Sequence, residues 1–82
     1  MLYEIYGTDN CNYCRKAKQL LMQHDKAFEF IDVSESEDIR SAFFRKFPNV
    51  SKIPQITLGE EHIGGYMELE KSLTLDQIES IL

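Results

Sequence analysis

Cys11-Asn12-Tyr13-Cys14 carries both cysteines of this 82-residue chain. A bond between two cysteines that are separated by two residues closes a very small loop, so it constrains the unfolded chain little. A disulfide between them would therefore add little stability, and the role of the pair lies in reactivity or in metal binding. In a small chain that alternates strands and helices, this spacing indicates a redox dithiol that cycles between two thiols and a disulfide.

Zinc is the alternative ligand for two cysteines. A structural zinc site takes four ligands from Cys, His or carboxylate side chains. Beyond the dithiol, the natural donors are His24, at a predicted helix end, and His62, in a predicted strand. The sequence holds no second cysteine pair, so we expect no metal site and interpret both histidines as exposed polar residues.

Segments of alternating type surround the dithiol. Branched and aromatic residues in short runs predict strands, and apolar residues at helical spacing, such as Ala17, Leu20 and Leu21, predict amphipathic helices. The predicted strands cover residues 2–6, 28–33, 55–58 and 62–63. The predicted helices cover residues 13–24, a segment that ends at Pro48, a short segment near residue 67 and a last segment from residue 74.

Capping sequences mark the predicted helix starts. Asp9 or Asn10 is expected to cap the helix that begins at the cysteines. Residues 34–37 and 74–77 each fit a capping box, in which two backbone donors are satisfied reciprocally. The apolar stripes expected on the second and last helices are Ile39, Phe43 and Phe47, and Leu75, Ile78 and Leu82, respectively.

The element order β-α-β-α-β-β-α predicts an α/β fold. A βαβ opening requires a right-handed crossover and a parallel strand pair, and the closing hairpin adds antiparallel strands. We therefore expect a four-stranded mixed sheet with helices on both faces. Because the chain is short and has no linker or repeat, residues 1–82 are predicted to form one domain.

Charge and hydropathy exclude two classes of partner. The net charge of −5 argues against nucleic acid, whose binding depends on Lys and Arg that neutralise phosphates. No run approaches the ~18 apolar residues that a membrane span requires. The first residues lack the basic and apolar segments of a signal peptide, so a reducing, cytoplasmic setting is expected. We also expect the protein to be a monomer.

The position of each cysteine predicts its role. Cys11 lies where a helix begins, and the free backbone N–H groups and the helix dipole there stabilise a thiolate. Cys14 lies one turn further in and is expected to be less exposed. We therefore assign Cys11 as the nucleophile and Cys14 as the thiol that resolves the mixed disulfide.

The sequence resembles the glutaredoxins over nearly its whole length. The resemblance depends on the dithiol after the first strand, Lys52-Ile53-Pro54-Gln55 before the third, Gly64-Gly65-Tyr66 after the fourth, and the element order. It implies a thioredoxin-like fold and the reduction of protein disulfides and of glutathione mixed disulfides. Glutathione would be the reductant, with no tightly bound cofactor, and ribonucleotide reductase is one conceivable acceptor of electrons.

The resemblance also implies a glutathione site. Pro54 would follow a cis peptide bond and face the dithiol, which leaves the backbone of Ile53 free to pair with an extended peptide. The double glycine would let glutathione approach the next helix, and Tyr13 would flank the bound thiol. The implied binding residues are Tyr13, Lys52, Ile53, Pro54, Gly65, Tyr66, Met67 and Glu68, and Arg40 and Arg45 are further candidates for the glycyl carboxylate.

Three positions depart from the family pattern. Asn12 stands where many members have proline, which changes the stiffness and polarity of the dithiol segment. The residues just before Cys11 include no lysine. Met67 replaces an aspartate that commonly meets the amino group of glutathione, and Glu68 is the candidate to substitute for it.

These departures leave two alternative functions open. One is a glutaredoxin-like protein that thioredoxin reductase reduces in place of glutathione. The other is an iron–sulfur carrier, because members without proline between the cysteines sometimes hold a [2Fe–2S] cluster across a dimer. In such carriers the first cysteine, here Cys11, and glutathione bind the cluster.

Overall fold

A computed structural model describes residues 1–81 as four strands and three helices. The elements follow the predicted order, although several boundaries differ from the prediction by one or two residues. In chain order they are β1 (Tyr3–Gly7), α1 (Asn12–Gln23), β2 (Phe28–Asp32), α2 (Glu37–Lys46), β3 (Gln55–Leu58), β4 (Glu61–Gly64) and α3 (Tyr66–Ile81).

The four strands form one mixed sheet in the order β2-β1-β3-β4. β1 runs parallel to β2 and antiparallel to β3, and β3 pairs with β4 as a hairpin. Gly59 allows the tight hairpin turn because its φ of 61° lies in the left-handed region that glycine adopts easily. The predicted mixed sheet is confirmed.

Each face of the sheet carries its own core. Successive residues of a strand point to opposite faces, so Tyr3 and Ile5 of β1 pack against α1 and α3, while Tyr6 packs against α2. The first core is completed by Ala17, Leu21, Ile56, Leu69 and Leu73, and the second by Val33, Phe43 and Phe47. Helices therefore cover both faces, as predicted.

The first two helices begin with caps other than the expected ones. The N-cap of α1 is Cys11 and not Asp9 or Asn10, because the Cys11 side chain accepts the backbone N–H of Cys14. The N-cap of α2 is Ser36, whose hydroxyl accepts the N–H of Ile39 at 3.1 Å. The predicted box at residues 34–37 is wrong, because the Ser34 hydroxyl donates to the Asp32 carboxylate in a turn that precedes the helix.

The C-terminal segment is one continuous helix, so the predicted break near residue 74 is wrong. The hydroxyl of Thr74 donates to the carbonyl of Glu70 at 2.9 Å, one turn back, and so it does not cap a new helix. The buried stripe consists of Leu69 and Leu73. Two of the residues predicted to be buried, Leu75 and Ile78, are 50% and 48% exposed, and Leu82 lies outside the described residues.

Within residues 1–81, no helix is long and apolar enough to cross a membrane.

Candidate active site

Cys11 lies at the N-terminus of α1 with its side chain turned toward the helix. Its extended backbone, with φ −91° and ψ 118°, brings Sγ within 3.2 Å of the backbone nitrogen of Cys14, which donates to it. The backbone carbonyl of Cys11 accepts the N–H of Arg15 at 3.2 Å, which starts the helical ladder. A thiolate on Cys11 would therefore accept a backbone donor at the positive end of the helix dipole.

Cys14 is fully buried beneath Cys11, and both are free thiols. Burial raises the pKa of Cys14 to about 12, and the hydrogen bond with Cys11 contributes in the same direction. The backbone of Thr8 and the charge of Lys18 oppose this shift. Cys14 thus remains a neutral thiol at physiological pH, which fits a resolving role and not the initial attack.

Gly7 makes room for the buried sulfur. A Cβ atom at this position would overlap Sγ of Cys14 and would also meet the ring of Phe30 at 3.6 Å. The last residue of β1 must therefore lack a side chain for α1 to begin where it does. The first strand fixes the position of the dithiol through this close approach.

Lys18 supplies positive charge near the dithiol, although the residues before Cys11 include no lysine. Its ammonium lies 3.7 Å from the ring centroid of Phe30 and 4.0 Å from the carboxylate of Asp9. It is half-buried, so its charge is screened less than that of a fully exposed lysine. It is one of three cations that follow the cysteines in the sequence, and it approaches the dithiol from the second turn of α1.

The loop before β3 faces Cys11. The peptide bond between Ile53 and Pro54 is cis, as the resemblance implied, and the Ile53 carbonyl oxygen lies 4.0 Å from Sγ of Cys11. The side-chain amide of Gln55 donates to the carbonyl of Lys52 at 2.9 Å, which closes the loop across three residues.

The double glycine leads directly into α3. Gly64 has φ 121°, a conformation that side chains disfavour, and Gly65 caps the helix, since its carbonyl accepts the N–H of Leu69 at 3.0 Å. The Glu68 carboxylate folds back and accepts the N–H of Gly65 at 2.7 Å. This reciprocal contact resembles the second half of a capping box.

These elements enclose a groove of about 400 Å³ beside the dithiol. Its walls contain all eight residues that the sequence implied for glutathione, together with Gln55, which the sequence analysis missed. The rings of Tyr13 and Tyr66 stand 5.7 Å apart at one end of the groove. Of the three cationic candidates only Lys52 lines it, whereas Arg40 lies on α2 and pairs with Glu37 at 3.9 Å. The binding roles themselves stay predictions.

His62 is exposed, as expected, and it also makes two contacts that we did not expect. Its Nε2 lies 2.8 Å from Oε1 of Gln55, and its ring centroid lies 4.6 Å from that of Phe47. Neither contact has a signature in the sequence, because the partners are seven and fifteen residues away and lie on other elements.

Comparison with known proteins gives a consistent result. The glutaredoxin family model matches residues 3–63. The chain is 39% identical to glutaredoxin 1 of Rickettsia bellii over 80 residues, which cover 90% of this chain and 82% of that protein. It is also 37% identical over 67 residues to the hybrid peroxiredoxin hyPrx5 of Haemophilus influenzae, of whose length it spans only 27%.

Two solved structures share the fold. Glutaredoxin 1 of Francisella tularensis, complexed with cacodylate, superposes with a TM-score of 0.73 at 30% identity, over 96% of each chain. The buckwheat glutaredoxin–glutathione complex superposes with a TM-score of 0.78 at 20% identity, over 98% of this chain and 74% of that one. The predicted thioredoxin-like architecture is confirmed.

Proposed function

This chain belongs to the glutaredoxin family, whose members are thiol–disulfide oxidoreductases, and we propose that glutathione is the thiol that drives its reaction. The observation that carries the proposal is the groove beside Cys11, which joins the backbone of Ile53 next to the cis-proline, the N-terminus of α3 and one lysine. A related structure of the same fold is described as a complex with glutathione, which supports this choice.

The groove offers a partner for each polar part of glutathione. The backbone of Ile53 would pair with the extended peptide, and the ammonium of Lys52 would meet the glycyl carboxylate. The N–H groups of Tyr66 and Met67 lie in the first turn of α3, where a helix favours an anion, and would receive the γ-glutamyl carboxylate. The Glu68 carboxylate would take the amino group.

A glutathione mixed disulfide needs only Cys11. The Cys11 thiolate attacks the glutathione sulfur, a bond forms between these two sulfurs, and the substrate leaves as a thiolate that takes up a proton. A second glutathione thiolate then attacks the glutathione sulfur bound to Cys11. This step releases oxidised glutathione and regenerates the Cys11 thiolate.

A protein disulfide needs both cysteines. Cys11 attacks one substrate sulfur and forms a mixed disulfide, and the substrate's second sulfur leaves as a thiolate. Cys14 then loses its proton and attacks Sγ of Cys11, which releases the reduced substrate and leaves a bond between Cys11 and Cys14. Two glutathione molecules reduce this bond. We propose ribonucleotide reductase as one candidate protein substrate. The proposed setting is the reducing cytoplasm, and the proposed active form is a monomer.

Single cysteine variants test this scheme. Wild type, Cys11→Ser and Cys14→Ser are assayed with glutathione, glutathione reductase and NADPH, on a glutathionylated peptide and on a protein disulfide. Cys11→Ser should lose both activities, whereas Cys14→Ser should retain the first and lose most of the second. An active Cys11→Ser variant would reverse the assigned roles, and an inactive wild type would refute glutathione dependence.

The two alternatives are separated by related measurements. A protein that thioredoxin reductase reduces would be active with that enzyme and inactive with glutathione and glutathione reductase. For a [2Fe–2S] carrier, only Cys11 is accessible as a ligand, since Cys14 is fully buried. A colourless protein after anaerobic purification in the presence of glutathione would argue against the carrier.

A further inference from the structure

A buried side-chain amide connects β4 to the loop that faces Cys11. Gln55 is only 6% exposed. Its Nε2 lies 2.9 Å from the Lys52 carbonyl oxygen, and its Oε1 lies 2.8 Å from Nε2 of His62. Both ends of the amide are thus occupied, one by the loop and the other by a histidine from the edge strand.

The chemistry of the three groups determines the direction of both hydrogen bonds. A backbone carbonyl only accepts, so the NH₂ group of Gln55 must face Lys52. The remaining Oε1 also only accepts, so His62 must carry its hydrogen on Nε2 and donate it. His62 therefore donates to Gln55, and Gln55 donates to Lys52. We call these two hydrogen bonds the relay.

His62 is held in this position by the opposite strand and by Phe47, the residue that follows α2. It pairs with Thr57 across the hairpin, and Thr57 lies on the same face of β3 as Gln55, two residues away. A register shift beside this pair gives β4 an extra residue, which redirects the strand just before the double glycine. The His62 ring also contacts Phe47, which is buried in the core on the α2 side.

We infer that His62 is a positioning residue for the glutathione groove. It fixes the Gln55 amide, which in turn holds the carbonyl of Lys52 and hence the backbone that Ile53 presents beside Cys11. Its effect is on substrate binding and not on the sulfur chemistry, because the relay ends on the loop and does not touch either cysteine. This inference rests on the proposed glutathione function.

Four variants test the inference in the full-length protein. His62→Phe keeps a ring against Phe47 but removes the donor, and His62→Asn keeps an amide that is too short to span the gap. His62→Gln carries the same amide one methylene further and restores the donor. His24→Phe is the control, because this second histidine lies at the C-terminal end of α1, in a depression that does not include the groove.

The measurements are KM and kcat for a glutathionylated peptide, together with amide hydrogen exchange at Ile53 and Gln55. Loss of one hydrogen bond should raise KM roughly three- to tenfold in His62→Phe and His62→Asn. We expect kcat to change less than about twofold, since Cys11 keeps the hydrogen bond from the backbone N–H of Cys14 at the start of α1. The backbone amides of Ile53 and Gln55 should exchange faster, and His62→Gln and His24→Phe should resemble wild type.

Other results would overturn the inference or the function separately. If KM and exchange are unchanged in His62→Phe and His62→Asn while the protein is merely less stable, His62 has only a structural role. If kcat falls and KM stays constant, the relay acts on chemistry and the inference is wrong. If wild type shows no glutathione-dependent turnover, the proposed function fails, and the exchange data alone then decide whether His62 orders the loop.

Discussion

The two cysteines differ in burial, although they are only three residues apart at the start of the same helix. Cys11 is half-buried and accepts a backbone N–H at the start of α1, whereas Cys14 is fully buried and faces Gly7. In the first environment a backbone N–H donates to the sulfur, and the second raises the pKa of the Cys14 thiol to about 12. The order of attack in the proposed reaction follows from this difference.

The raised pKa of Cys14 predicts how the stability of the reduced protein depends on pH. Below the ordinary value of 9.0 the thiol is protonated in both states and contributes no slope. Above 9.0 the unfolded chain loses this proton and the folded protein keeps it until about pH 12. The free energy of unfolding should therefore fall as pH rises in this range, by at most about 1.4 kcal/mol per pH unit.

Urea unfolding of reduced wild type and Cys14→Ser, at about pH 7 and about pH 10, measures this slope. The tyrosines and lysines contribute equally to both proteins, so the difference between them isolates Cys14. The variant should lose less stability than wild type between the two pH values. Parallel losses would contradict the assignment of a protonated, buried thiol.

Gly7 predicts a steric effect on the dithiol. Gly7→Ala would push a methyl group into the Cys14 sulfur, and such overpacking costs about 1–3 kcal/mol. The same substitution in a Cys14→Ala background no longer meets the sulfur, although the Cβ atom of residue 14 stays 3.2 Å away, and it should cost clearly less. Urea unfolding of the four proteins of this double-mutant cycle gives the coupling energy, and additive effects would show that the sulfur is not the obstacle.

At the scale of the elements, α3 differs most from its prediction. Thr74 donates to the carbonyl one turn back and so continues the helix that it was expected to start. The helix buries Leu69 and Leu73 against α1 and the sheet, which turns Leu75 and Ile78 outward. Periodicity identified an amphipathic helix correctly but could not decide which of two apolar stripes the core would accept.

Two leucines on α3 provide a matched test of this orientation. Leu73→Ala removes a side chain that is 1% exposed and should cost about 2–5 kcal/mol of unfolding free energy. Leu75→Ala makes the same chemical change at a position that is 50% exposed and should stay within about 0.5 kcal/mol of wild type. Urea denaturation measures the unfolding free energy of both variants. A larger loss of stability in Leu75→Ala than in Leu73→Ala would favour the apolar stripe that the sequence predicted.

At the scale of the whole molecule, the central sheet joins two separate cores. β1 contributes to both, with Ile5 in the core beneath α1 and α3 and Tyr6 in the core beneath α2. The candidate site uses both sides, because Cys11 and Gly65 begin the helices of one face and Phe47 supports His62 from the other. The groove therefore depends on the integrity of both cores.

This shared sheet predicts that the chain unfolds as one unit. Leu21→Ala weakens the core beneath α1 and α3, and Phe43→Ala weakens the core beneath α2. Each should shift one common urea transition to lower concentration, with far-UV circular dichroism and tyrosine fluorescence changing together. Two separated transitions in either variant would contradict the prediction of a single domain over residues 1–82.

The sequence by itself determined the fold class, the element order and the cysteine roles expected of the site. These features depend on local patterns: the spacing of Cys11 and Cys14, the periodicity of apolar residues, and short motifs at Pro54 and at Gly64-Gly65. Each pattern spans only a few neighbouring residues, so it can be recognised in the sequence alone. The family resemblance then joined these motifs into one expected glutathione site, and the structure brings the corresponding residues together in one groove.

Only the tertiary structure decided which residues support that groove. Cys11 displaced the expected polar caps because its own sulfur meets the helix, and Lys18 approaches the dithiol from the second turn of α1. Gln55 and His62 meet because a hairpin with a register shift brings their two strands side by side. Contacts between residues that are distant in the chain depend on register and packing, which no local pattern of the sequence encodes.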